Sequence, residues 1–285
     1  MFDSRLYNLT NMNKSVSDNG KVLITGGTSG LGLRLVKYFL EKGYEVVATG
    51  RKNVTIPEYG DRFSLLMADF SDMRQTSEAV KKICRNQRFD IVINNAGVLS
   101  PPDFMLTDNG LEYTFQVNFL SHLLLDEIIL KYAEPRQSLL IAATVSPVYR
   151  IAEKDLTIYT RASDYWPLKA YSNSKLYLAL MCSYIPQKYP SRDLRCIGFD
   201  PGVFSSGIYR MQKEWFRILY RIASPFMKNP EKVAVRFGEV IEREDLIDGA
   251  IFKSGKGKGR IPVAENKAVN SFWKECNKII EPYVS

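Results

Sequence analysis

Residues 25–32, TGGTSGLG, restrict the fold of this chain more than any other stretch. They follow the β-branched run KVLIT and lead straight into LRLVKYFLEKG, whose apolar residues recur at helical spacing. A strand, a glycine loop and a helix in that order open a strand–helix–strand unit. Gly26, Gly30 and Gly32 permit left-handed backbone angles or close approach without a Cβ clash. The helix start then offers unpaired N–H groups and a positive dipole end to a pyrophosphate. Thr25, Gly26, Thr28, Ser29, Gly30, Leu31 and Gly32 are the residues that would line such a loop. The competing reading is a tight turn that holds nothing.

The same alternation continues along the chain. Strands are expected at Lys21–Thr25, Glu45–Thr49, Phe63–Ala68, Asp90–Asn94, Ser138–Ala143 and Arg195–Phe199, with helices at Leu31–Lys42, Asp72–Arg85, Asn109–Ala133 and Tyr171–Ile185. This predicts an α/β fold: a single Rossmann-type, doubly wound parallel sheet of about seven strands with helices on both faces. Residues 1–19 read as a polar extension and 20–285 as one domain. Residues 145–170 and 201–229 depart from strict alternation. Both follow strand C-terminal ends, where open parallel sheets bind ligands, so both are expected to line a substrate pocket.

Composition narrows the chemistry. A single histidine, His122, removes any zinc site built on several histidines and would have to serve any Ser-His-Asp triad. No metal is expected. The four cysteines (84, 182, 196 and 276) lie far apart, which suggests reduced thiols in a cytoplasmic setting. No apolar run in the sequence approaches the about 20 residues a membrane span needs. The net charge of +8 is spread along the chain and comes with no nucleic-acid motif, so no nucleic-acid partner is expected. At the end of the second strand stand Arg51 and Lys52, where a fold that prefers a 2′-hydroxyl carries an acid. A guanidinium suits a 2′-phosphate, which ranks NADP(H) above NAD(H); the alternative is a solvated surface pair.

These stretches together resemble the short-chain dehydrogenase/reductase superfamily, over roughly residues 20–280. TGGTSGLG is similar to its TGxxxGxG loop, NNAG (94–97) to its fourth-strand motif, YSNSK (171–175) to YxxxK, and DPG (200–202) to the PG motif after the sixth strand. The resemblance implies that Asp69 contacts an adenine ring. It also implies cofactor roles for Phe70, Asn95, Ala96, Gly97, Pro201, Gly202, Phe204 and Ser206, and an active-site role for Asn118 within FQVNFLSHLLL. A finer similarity is to the retinol-dehydrogenase-like group, carried by VNFLSHLLL, by PFMKNPEKVA (225–234) and by a terminal helix over 268–280.

Five pairs satisfy the YxxxK spacing: Tyr38/Lys42, Tyr165/Lys169, Tyr171/Lys175, Tyr184/Lys188 and Tyr209/Lys213. Position selects Tyr171/Lys175, at the start of the helix after the fifth strand, where a spacing of four puts both side chains on one face. A nearby ammonium favours phenolate, so Tyr171 can exchange a proton with a carbonyl or alcohol oxygen. The resemblance adds a ribose contact for Lys175 and a water held by Asn118. The family's active-site serine aligns with Thr144, whose hydroxyl can still donate a hydrogen bond; Ser146, two residues on, is the alternative. His122 reads as a packed helix residue.

Residues 211–228, MQKEWFRILYRIASPFMK, form an amphipathic basic-aromatic helix pattern. It serves a substrate lid, a membrane surface or dimer partner, or plain packing. The function expected is an NADP-dependent oxidoreductase, working as a reductase on the carbonyl or alcohol of a hydrophobic small molecule. The rival is a weakly active or non-catalytic NADP-binding scaffold. A homo-oligomer and a peripheral membrane contact are further expectations.

Overall fold

The computed structural model describes residues 20–134, 137–153, 155, 156, 158–204, 212, 214, 227–253, 258–260 and 267–285. The expected extension at 1–19, Ser206 and nearly all of the 211–228 pattern lie outside the described residues.

Short runs of Val, Ile and Leu pair side by side because both of their faces can be buried under helices. In chain order the elements are β1 (Lys21–Ile24), α1 (Gly30–Glu41), β2 (Glu45–Gly50), β3 (Phe63–Met67), α2 (Met73–Cys84) and β4 (Ile91–Asn94). There follow α3 (Tyr113–Phe115), a π-helical turn (Gln116–Leu120), α4 (Ser121–Tyr132) and β5 (Leu139–Thr144). The remainder comprises α5 (Pro167–Lys188), β6 (Leu194–Asp200), α6 (Pro230–Ile241), β7 (Ala250–Lys253), β8 (Lys258–Arg260) and α7 (Lys267–Val284). One sheet takes the order β3-β2-β1-β4-β5-β6-β7-β8. Its first seven strands are parallel and β8 is antiparallel to β7. Val22 of β1 pairs with Val46 on one side and Ile91 on the other, so strand order reverses between β1 and β4. In such sheets a crevice opens at that point, beyond the strand C-terminal ends.

Two apolar cores flank the sheet. One joins α2, the α3–α4 segment, α5 and α7; the other joins α1 and α6. Phe199 of β6 stacks on Phe237 of α6 at 4.1 Å. Gly238 lets Tyr38 of α1 approach, because a Cβ there would meet the tyrosine ring at 2.0 Å. The terminal helix α7 buries Phe272, Trp273, Cys276 and Ile280, and Trp273 stacks on Tyr184 of α5 at 3.9 Å.

Several boundaries differ from expectation for local reasons. The helix expected at Asn109–Ala133 begins at Tyr113, where Glu112 caps it by accepting from Thr114 N and Phe115 N, and it then passes into the π-helical turn. The helix expected to start at Tyr171 starts at Pro167, a residue suited to a first helical position. It also continues past Pro186 to Lys188. The strands β7 and β8, of four and three residues, are too short to announce themselves by periodicity. All four cysteines are free and buried, and burial pushes the Cys84 thiol up to about 12.

Candidate active site

The glycine loop bridges β1 and α1 under close steric limits. Gly26 has φ 66° and Gly30 has φ 58°, in the left-handed region that favours glycine. A Cβ on Gly32 would lie 2.2 Å from Gly26 O and 2.6 Å from Asn95 Nδ2, whereas Gly30 faces open space. Gly27, passed over in the sequence, is needed as well: its Cβ would lie 2.6 Å from Ala48 Cβ, and its N–H donates to Thr49 O at 2.9 Å. Thr28 packs over Gly50, Leu31 is buried, and exposed Ser29 leaves the start of α1 without a side-chain cap. A narrow cradle that excludes Cβ atoms, ahead of an uncapped helix N-terminus, fits a pyrophosphate.

Replacing Gly32 with Ala is therefore expected to cost about 1–3 kcal/mol through overpacking against backbone. Thermal melting should fall by about 2–4 °C for each kcal/mol. An unchanged melting temperature would show that the loop can widen.

Beside the loop, Arg51 is exposed and its Nη1 lies 3.6 Å from Asp69 Oδ2. Asp69 Oδ1 accepts from Ser71 N at 3.0 Å and Ser71 Oγ at 2.8 Å. The two residues thus stand together past the ends of β2 and β3; Lys52 is exposed next to them. Phe70 is buried, and its carbonyl accepts from Ser121 Oγ at 2.7 Å, which ties this strand end to the start of α4.

The NNAG turn closes against the loop through Thr25. Its Oγ1 accepts from Asn95 N and Ala96 N, both at 2.8 Å, while Asn95 Nδ2 donates to Thr25 O at 2.9 Å. Gly97 is the point of closest approach to the next group: a Cβ there would lie 3.3 Å from Asn118 Oδ1 and 3.6 Å from Lys175 Nζ. Asn118 sits in the π-helical turn. Its side chain accepts from Val98 N at 2.8 Å, and donates to Val98 O at 2.9 Å and Ser174 Oγ at 3.1 Å. A π-helical turn inside a longer helix is often found at functional positions.

Tyr171 and Lys175 lie one turn apart on α5, with Lys175 Nζ 5.9 Å from the centre of the Tyr171 ring. Lys175 is buried, and Nζ donates to Thr144 O at 2.9 Å. Burial lowers its pKa to about 8. Thr144 ends β5, and its hydroxyl donates to Asn95 Oδ1 at 3.4 Å. Because the strand ends there, Ser146 is not a continuation of it but precedes a 3₁₀ turn at Pro147–Ile151. Ser174 went unnoticed in the sequence; its hydroxyl accepts from Asn118 and donates to Tyr171 O at 2.7 Å.

After β6, Gly202 has φ 69° and donates its N–H to Asp200 Oδ1 at 2.8 Å. Pro201 O accepts from Lys228 Nζ at 3.4 Å, and Phe204 forms a parallel bridge with Lys228. The glycine loop, the NNAG turn, Asn118, Thr144, Tyr171 and Lys175 are therefore brought together at one end of the sheet. Of the other Tyr/Lys pairs, Tyr38 donates to Glu242 across the α1–α6 contact, and Tyr184 stacks on Trp273 of α7.

Residues 20–216 match the family described as short chain dehydrogenase. The chain is 26% identical over 230 residues to a Drosophila melanogaster WW domain-containing oxidoreductase, a match covering 74% of this chain and 56% of that protein. The chain thus spans little more than half of that relative. Identity to human retinol dehydrogenase 13 is 26% over 282 residues, covering 91% of this chain and 84% of the relative. In fold, the chain is similar to a Brucella melitensis 3-ketoacyl-(acyl-carrier-protein) reductase solved with NADH. There the TM-score is 0.64 at 19% identity, covering 84% of this chain and 97% of that one.

Proposed function

The chain belongs to the short-chain dehydrogenase family of oxidoreductases, and on that premise we propose that it is an NADP(H)-dependent reductase of carbonyl groups on apolar small molecules. The observation that carries this reading is the Tyr171–Lys175 turn. A buried ammonium lies beside a phenol, next to a glycine cradle and at the strand ends where such sheets bind ligands.

When bound, the nicotinamide supplies the hydride that converts the carbonyl carbon to an alcohol carbon. Tyr171 gives its phenolic proton to the carbonyl oxygen, and the positive charge on Lys175 stabilises the phenolate left behind. A hydroxyl from Thr144 or Ser146 holds the same oxygen in place. Gly26, Gly30 and Gly32 would let the backbone approach the pyrophosphate, and Asp69 would contact the adenine. Ile151, Trp166 and Leu168 expose apolar side chains around the start of α5, and Val203 does so after β6, which supports an apolar substrate.

Arg51, exposed and turned toward Asp69, is the support for NADP(H) over NAD(H). Arg51→Ala is expected to weaken NADPH binding about 10–100-fold, the value of a hydrogen bond to a charged group, and to leave NADH within about threefold. Fluorescence titration with both nucleotides measures this. An equal loss for the two would remove the preference.

The reading is tested by following NADPH and NADH consumption with a panel of apolar aldehydes and ketones. Turnover with NADPH supports it; failure to bind either nucleotide ends it. The Thr144 hydroxyl donates to Asn95, which favours a second reading, a weakly active nucleotide-binding protein. Tight NADPH binding without turnover across the panel would select that one.

A further inference from the structure

His122, the chain's single histidine, lies at the start of α4 and is fully buried. Its Nε2 is 2.9 Å from Thr25 Oγ1, its Nδ1 is 2.9 Å from the main-chain oxygen of Asn118, and its ring meets Phe70 edge-on at 5.0 Å. These partners fix where the proton sits. A carbonyl only accepts, so Nδ1 carries the hydrogen and Nε2 is a lone pair. Burial lowers the imidazole pKa to about 3, and the ring is neutral. The Thr25 hydroxyl therefore donates to Nε2. Its oxygen already accepts from Asn95 N and Ala96 N, so one donor and two acceptor positions are all in use. Ile93 O, the other acceptor within reach, is farther off at 3.3 Å.

We propose that His122 is a positioning residue that clamps the glycine loop to the Asn118 turn, so that one side chain sets both nucleotide binding and the alignment of the Tyr171 turn. This rests on the dinucleotide-binding reading above. One arm runs from Nε2 to Thr25 and on to the NNAG turn. The other runs from Nδ1 to the Asn118 carbonyl. The Asn118 amide then reaches Ser174, whose hydroxyl bonds Tyr171 O. Asn95 makes a second link, from Thr25 O to Thr144, but His122 is the side chain that bonds both Thr25 and the Asn118 main chain directly.

The arms can be cut separately. In His122→Asn the amide nitrogen replaces Nδ1 and keeps the Asn118 bond but cannot reach Thr25. In His122→Gln the amide oxygen replaces Nε2 and keeps the Thr25 bond but loses Asn118. The asparagine variant is expected to raise the NADPH Kd about three- to tenfold with kcat retained, and the glutamine variant to lower kcat about three- to tenfold with Kd retained. If Kd and kcat move together in both variants, or in neither, the proposal is overturned. A measurement on the unaltered protein guards against variants that fail to fold. Because there is one histidine, nitrogen-15 labelling reports a single ring by NMR. The spectrum should show an Nδ1–H tautomer that does not titrate between pH 5 and 8. An Nε2–H tautomer, or a midpoint in that range, overturns the clamp. If the protein binds neither nucleotide, the dinucleotide reading fails, and the tautomer still reports separately on the hydrogen bonds.

Discussion

Tyr171→Phe is expected to lower kcat for carbonyl reduction about a thousandfold, within the range of a lost general acid, while NADPH still binds. The substitution removes one oxygen atom and leaves the ring that lies 5.9 Å from Lys175 Nζ. Two neighbouring hydrogen bonds survive. Ser174 donates to the main-chain oxygen of residue 171, and Lys175 donates to Thr144 O, so neither depends on the phenolic group. Nucleotide Kd should therefore stay within about threefold of the unaltered protein. The readout is steady-state turnover against NADPH titration on the same preparation. Turnover that persists within a few-fold would mean that the proton reaches the carbonyl oxygen by another route. A collapse in nucleotide binding would mean that the hydroxyl serves binding rather than chemistry.

How far such a result could be foreseen from the residues differs from place to place. The glycine loop was legible because a strand, four glycines and a helix occur within one stretch, and local sterics make that order nearly self-explanatory. The parallel sheet was legible from alternation, since each strand brings its own β-branched run. The choice of Tyr171 among five similar pairs needed order along the chain, because spacing alone cannot show which helix faces the strand ends. The helix pattern marks His122 as a packed residue, and it is buried. What the sequence withheld was its partners, because Thr25 is 97 positions away and meets it only once β1 and α4 are assembled. Ser174 and Gly27 escaped for the same reason, their constraints coming from Asn118 and Ala48 on other elements. The strands β7 and β8 escaped because three or four residues carry too little pattern to compete with a loop reading.

Lys175 is where the fold and the chemistry pull in opposite directions, and Lys175→Met should separate them. Burial lowers its pKa from the ordinary 10.5 to about 8. Between those values the unfolded chain binds more protons than the folded one, so stability rises with pH across that window. Below pH 8 the folded state bears the full cost of the buried charge, about 3 kcal/mol. Methionine has a similar length and no charge, so it removes that cost. It also strips Thr144 O of its donor, a loss of about 1–3 kcal/mol for a buried carbonyl. The variant should therefore be at least as stable as the unaltered protein at pH 7, by about 1 kcal/mol, and less stable by about 2 kcal/mol near pH 10.5. Below pH 8, where Lys175 of the unaltered protein is charged, turnover should fall at least about a hundredfold, because the phenolate of Tyr171 loses its neighbouring charge. Denaturant unfolding at several pH values, paired with the NADPH assay, measures both. A variant with the same pH slope as the parent would show that Lys175 keeps its ordinary pKa and that the ammonium is well solvated. A variant that gains stability and loses turnover would identify this lysine as a group held at a cost to the fold for what its charge does beside Tyr171.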